Sequence, residues 1–123
     1  MSGLSSAGES AVLTFLMDGR FISLHAGDPG DVGVNEVSGA PYVRLSGAWS
    51  VSGSNPSTMA NSIVMQYETA ASDWGLLTHF GVWTTITGGT FLGAWPLNAP
   101  KTVTDGDLVR WDVGKLRIVT DDL

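Results

Sequence analysis

The chain contains no cysteine, which excludes disulfides, thiolate metal sites, iron–sulfur clusters and cysteine nucleophiles together. Charge is sparse as well: Asp, Glu, Lys and Arg make up 15% of the sequence, against roughly 25% in an ordinary soluble domain. Six basic residues face twelve acidic ones, for a formal net charge of -6. Arg20, Arg44, Lys101, Arg110, Lys115 and Arg117 are scattered, so no basic patch offsets that charge and nucleic acid is not an expected partner. Long hydrophobic runs are missing too. The longest, Ala11 to Met17, is broken by Thr14 and has no basic residue before it. It is too short for a signal peptide or a membrane span, so the expectation is a protein made in the cytoplasm with no membrane partner.

What the chain does have is apolar bulk and glycine. Hydrophobic residues reach 43%, which argues against intrinsic disorder, and 123 residues fit one domain able to bury a core without staples. Glycine fills 16 positions and tryptophan five; this combination favours short strands joined by tight turns. One helix is expected near the start. Ser6 and Glu9 have capping-box spacing, Val12, Leu13, Leu16 and Met17 follow on one face of a 3.6-residue period, and Gly19 offers a left-handed stop.

Strand patterns then recur at 20–25, 42–45, 48–51, 60–68, 78–85, 90–95, 107–113 and 115–120. Between them lie a long turn-rich loop at 26–41, a turn at Gly53–Pro56, a Gly88-Gly89 hairpin cue, a loop at Asn98-Ala99-Pro100 and an Asp105-Gly106 hairpin cue. The expected fold is therefore mainly β: an antiparallel β-sandwich or barrel of about seven or eight short strands with one N-terminal α-helix. Residues 1–19 form the helical segment and 20–123 the β-sandwich domain.

Chemistry finds little to work with. Hydrolysis by a serine needs a histidine oriented by a carboxylate, and a Gly-x-Ser-x-Gly turn in many enzymes; that turn is absent. His25 and His79, the two candidate bases, both fall inside strand patterns, where a half-buried structural role is expected. Asp28, Asp31, Asn35 and Glu36 offer oxygen ligands for calcium, yet their spacing is not that of an EF-hand loop, and Asp and Asn are ordinary turn formers. No catalytic residue, metal ligand or cofactor is therefore assigned. Trp49, Trp74, Trp83, Trp95 and Trp111 are divided between core and interface, with a sugar-stacking platform as the alternative. The candidate interface comprises the helical stripe Val12, Leu13, Leu16 and Met17, the loop residues Asp28 and Asp31, and Trp49 and Trp74. The stripe must bury itself on its own domain or on a partner.

Several separated motifs carry a family resemblance. Residues 21–30 (Phe-Ile-Ser-Leu-His-Ala-Gly-Asp-Pro-Gly) and 35–44 (Asn-Glu-Val-Ser-Gly-Ala-Pro-Tyr-Val-Arg) form the first group. Asp73-Trp74-Gly75, Thr78 to Trp83, Gly88-Gly89 and Trp95-Pro96-Leu97 form the second, and Gly106-Asp107, Arg110, Gly114 and Leu116 complete the set. Over residues 20–119 the sequence resembles small virion structural proteins of tailed phages, of the head-decoration and tail-fibre kinds. The resemblance implies a non-enzymatic bacteriophage structural protein located in the virion. It is expected to decorate the outside of the capsid as a homo-oligomer bound to the major capsid protein or other virion proteins. The alternatives are a tail-fibre or tail-tip subunit, and a carbohydrate-binding module using exposed Trp.

Overall fold

The computed structural model describes residues 5–52 and 58–119; the turn expected at Gly53–Pro56 lies outside them. One helix, α1 (Ser6–Met17), precedes nine strands among the described residues: β1 (Phe21–His25), β2 (Leu45–Ser46), β3 (Trp49–Ser52), β4 (Thr58–Asn61), β5 (Met65–Gln66), β6 (Gly75–Trp83), β7 (Phe91–Val103), β8 (Arg110–Trp111) and β9 (Arg117–Val119). All pairings are antiparallel. A four-stranded sheet runs β2-β1-β6-β7, a three-stranded sheet runs β3-β4-β9, and β5 pairs with β8. The sheets are sandwich-like and do not close into a barrel, which decides between the two expected architectures.

The helix is capped one residue earlier than the Ser6–Glu9 spacing predicts. Ser5 keeps an extended backbone, with φ -68° and ψ 165°, and its hydroxyl accepts from the Gly8 N–H. This satisfies one of the free donors of the first turn. Glu9 lies fully buried on the same helical ridge as Leu13 and Met17. Leu13 and Met17 belong to one core cluster with Ile22 and Leu24 of β1, Phe80 and Val82 of β6, Met59 of β4 and Ile118 of β9. The stripe is thus buried on the chain's own sheets, but it is narrower than expected: Leu16 is half-buried and Val12 exposed.

The expected 60–68 strand breaks in two because of Asn61. This buried side chain donates to the carbonyls of Ile63 and Asp112 at 2.8 and 2.9 Å and accepts from the Leu116 N–H at 3.0 Å. Such a cluster satisfies backbone groups that a continuous ladder would otherwise pair, and it hands β5 to a different sheet from β4. Met65 and Tyr67 are buried, whereas Ile63 is exposed.

Asn98-Ala99-Pro100 is likewise not a loop but part of β7. Across β6, Leu77 pairs with Lys101 and His79 with Pro96, so residues 97–100 oppose Thr78 alone and form an enlarged bulge. Asp105-Gly106 does form a tight turn, closed by the Asp107 N–H to the Thr104 carbonyl at 3.0 Å. It leads from β7 to β8, which lie in different sheets, so it joins no hairpin. The Gly88-Gly89 hairpin is present between β6 and β7, through residues 84–90. The expected 107–113 strand shrinks to Arg110–Trp111, because a further turn follows it, with the Lys115 N–H bonded to the Asp112 carbonyl.

The two sides of α1 predict a sharp contrast. Leu13→Ala should destabilise the fold by about 2–5 kcal/mol, the range for emptying a packed core site. Phe15→Ala, on a residue 74% exposed, should stay within about 0.5 kcal/mol. Chemical denaturation of the two variants checks this; equal effects would contradict the burial pattern.

Candidate functional site

The long 26–44 segment is not a loose loop but a strap fastened to the sheet at several points. The Ala26 and Val37 N–H groups donate to the Asn35 and Leu24 carbonyls, and the Gly33 and Val34 N–H groups converge on the Pro29 carbonyl. Asp28 accepts from the Gly30 N–H at 2.9 Å, the local bond that makes Asp a turn former. Gly33, at φ +79°, lies directly on Trp83; a Cβ there would come within 2.5 Å of the indole.

The fastening itself is charged. Arg44 grips Glu36 with two parallel bonds, Nε to Oε2 and Nη2 to Oε1, each 2.9 Å. Its remaining terminal nitrogen donates to the carbonyls of Gly88 and Thr85 at 2.8 and 3.2 Å. The guanidinium carbon stands 3.7 Å from the centroid of the Trp83 ring. Only a planar, five-donor cation can serve all these partners at once. Tyr42 completes the group: its hydroxyl donates to Glu36 at 2.6 Å and accepts from the Leu24 N–H at 3.1 Å. Burial works to raise the Glu36 carboxyl, but hydrogen bonds from Arg44 and Tyr42 outweigh it and hold it below its ordinary value. Burial pushes the Tyr42 and Tyr67 hydroxyls far above the tyrosine range, so both remain donors.

Beneath the strap runs a second polar chain. The Trp83 indole N–H donates to Ser23 Oγ at 2.9 Å, Ser23 lies 2.6 Å from His25 Nε2, and His25 Nδ1 lies 2.8 Å from the Val34 carbonyl. A carbonyl only accepts, so Nδ1 carries the proton and Nε2 receives the Ser23 hydroxyl. A serine in contact with a histidine is the start of a hydrolytic triad. Here both side chains are fully buried, and a backbone carbonyl stands where a carboxylate would orient the ring. Gly81 covers the pair so closely that a Cβ would lie 2.5 Å from Ser23 Oγ and 2.8 Å from His25 Nε2. No substrate carbonyl reaches this hydroxyl. Sequence reasoning did not single out the pair, although Ser23 and His25 share one face of a strand pattern; nor did it single out the Glu36–Arg44–Trp83 group.

The remaining sequence candidates fall in separate places. Leu13, Met17 and Trp74 are buried within the core, and the Trp74 indole donates to the Ala40 carbonyl at 3.2 Å. Asp28 and Asp31 are exposed on the strap. Glu36, the third carboxylate of the supposed calcium loop, is committed to Arg44, and no three His, Asp or Glu side chains converge among the described residues. Trp49 is half-buried beside a cleft of about 270 Å³ between α1 and β3, where its indole nitrogen has no protein hydrogen-bond partner. Trp83 and Trp95 are buried and Trp111 half-buried, so among the five indoles only those of Trp49 and Trp111 keep part of their surface open. The exposed apolar residues around the strap are Val32, Val34, Val43 and Ile86. The last two flank a shallow cleft of about 350 Å³ floored by Tyr42 and Arg44.

Two measurements follow from this geometry. Arg44→Ala leaves the half-buried Glu36 without its cation and should cost about 1–3 kcal/mol; Arg44→Lys should recover only part, because the fork and the flat stacking surface are lost. The pH profile has a definite sign. Burial, the largest influence, lowers His25 below its ordinary 6.5. The unfolded chain therefore takes up a proton before the native one does. Stability should be full above pH 6.5 and decline as the pH falls below it, and His25→Gln should flatten that slope in thermal melts.

Comparison with known proteins adds one match. A sequence-family model described as Podophage GP4 fiber I protein gp80 matches residues 17–119. No curated protein matches the chain.

Proposed function

We propose that this chain, which belongs to the Podophage GP4 fiber I protein gp80 family, is a non-enzymatic fibre subunit of a tailed phage, carried in the virion and working through protein–protein contacts. The observation that carries the reading is the extent of the match: residues 17–119 include every strand from β1 to β9, so the whole β-body is the family's unit. The family description names a fibre, which favours the tail-fibre reading over decoration of the capsid shell. The polar chemistry agrees with a contact role. The buried Ser23–His25 pair and the Glu36–Arg44 pair hold the strap in place, while Val32, Val34, Val43 and Ile86 are left facing outward. Fixed apolar side chains on a preorganised surface suit recognition of another virion component, because little is lost in ordering them on contact.

Immunogold labelling of purified phage particles, with mass spectrometry of the same particles, tests the proposal. Label at the tail or its fibres is expected. Label spread over the shell would move the protein to capsid decoration, and its absence from particles would overturn both placements.

A further inference from the structure

Two apolar projections of the molecule carry opposite charge. The first is the tip of the strap. The Gly33 and Val34 N–H groups both bond the Pro29 carbonyl, and the turn they close leaves Val32 70% and Val34 50% exposed. Asp28 and Asp31 are exposed beside them. No basic residue lies between Arg20 and Arg44, so residues 27–35 hold two carboxylates and no cation.

The second is the corner where Asn61 joins two turns. Its side chain holds the Ile63 and Asp112 carbonyls, and its own carbonyl accepts from the Gly114 N–H. Ile63, Val64 and Val113 are left exposed on these turns, Val113 by 56%. Arg110, Lys115 and Arg117, on either side of Val113 in the chain, are exposed as well. The Arg117 side chain reaches back to the Gly114 carbonyl at 2.6 Å. Residues 58–66 have no charged side chain, and Asp112, the one acidic residue in 108–119, lies 3.0 Å from Arg110. Three cations against one carboxylate leave the corner positive.

The alternation of β1 fixes where the two surfaces lie. Ser23 and His25 face the strap, whereas Ile22 and Leu24 pack with Met59 of β4 and Ile118 of β9. The strap and the β3-β4-β9 sheet therefore cover opposite faces of the four-stranded sheet, and one chain cannot bring its tip onto its own corner.

We infer that copies of this chain associate in series, the strap tip of one seated on the Asn61 corner of the next. Charge selects a second copy as the occupant. Chains with a net charge of -6 repel one another over most of their surface, and an acidic tip meeting a basic corner is the contact at which that repulsion turns to attraction. Valine side chains on both surfaces add apolar area and have few rotamers to lose on contact. Because the two surfaces differ, the contact is heterologous: assembly closes into a ring or extends as a filament. The inference rests on the strap as a contact surface and assigns what it contacts; it is independent of where in the virion the protein resides.

The absence of cysteine allows the two surfaces to be labelled separately. Val32→Cys and Val113→Cys proteins, mixed and treated with a short bismaleimide, should give a linked pair containing one of each, and neither variant alone should cross-link. Asp31→Lys and Lys115→Asp should each weaken self-association about tenfold at an unchanged melting temperature, and added salt should weaken wild-type association. Mixing the two charge variants should restore association, because the untouched corner of one meets the untouched tip of the other. Wild-type protein that keeps the 12.9 kDa mass of a single chain in light scattering at high micromolar concentration would overturn the inference, and would leave the placement in the virion to the labelling of particles. So would cross-linking within a single cysteine variant, which marks a two-fold contact, or charge variants that gain nothing on mixing.

Discussion

The bidentate bond between Arg44 and Glu36, laid flat on Trp83, is the constraint on which the rest of the strap depends. An ion pair taken out of water gives back much of its attraction as desolvation, so it contributes little net stability unless every lone pair and proton finds a partner. Here the requirement is met. Tyr42 supplies Glu36 with a further donor, the Gly88 and Thr85 carbonyls receive the free end of the guanidinium, and the indole covers its face. These groups come from the strap, the end of β6 and the hairpin loop after it. Their mutual satisfaction therefore fixes a tertiary arrangement and not merely a local turn. A half-satisfied network of this kind is worse than an apolar one, which is why the segment folds in one way.

That constraint passes inward through Trp83. The same indole that supports Arg44 on its face donates from its edge to Ser23, and Ser23 in turn meets His25, whose other nitrogen holds the strap at Val34. The charged layer and the neutral layer are thus joined by one side chain. The glycines fit this account: Gly33 and Gly81 lie where a methyl group would strike Trp83 or the Ser23–His25 pair. A pair that resembles part of a catalytic triad is here a structural bond, distinguished from a working one by burial and by the carbonyl partner of the histidine.

How far the sequence reveals this differs from element to element. The helix, β1 and the paired β6–β7 region follow from periodicity and turn residues, because local patterns and the final packing agree there. The Asn98-Ala99-Pro100 bulge and the split at Asn61 do not. In the first, a segment containing the turn formers Asn98 and Pro100 is held in a strand by pairing on either side with β6; in the second, a residue that looks like an ordinary strand member donates to the Asp112 carbonyl and accepts from the Leu116 N–H, some fifty positions away. The strap reads as a surface loop because Gly, Pro and Asp dominate it. Its order comes from Glu36 and Arg44 meeting Trp83, a contact that no local pattern encodes. Four of the residues that carry the family resemblance, Glu36, Tyr42, Arg44 and Trp83, are members of that network.

The helix shows the converse relation between sequence and surface. An apolar stripe can be recognised from spacing alone, but spacing does not say which of two apolar ridges faces in. Leu13 and Met17 join the core cluster with Ile22, Leu24 and Met59, and this leaves Ala7, Ala11 and Phe15 outward. Glu9 on the inner ridge makes the outcome less obvious still, since charge ordinarily marks the solvent side. Isolated apolar side chains on the solvent side of a helix are ordinary in folded proteins, and the inner contacts alone hold this one in place. The sheets cover the inner ridge, while the outer face mixes Ala7, Ala11 and Phe15 with the exposed Thr14 and Asp18, so burial rather than residue type separates the two sides of this helix.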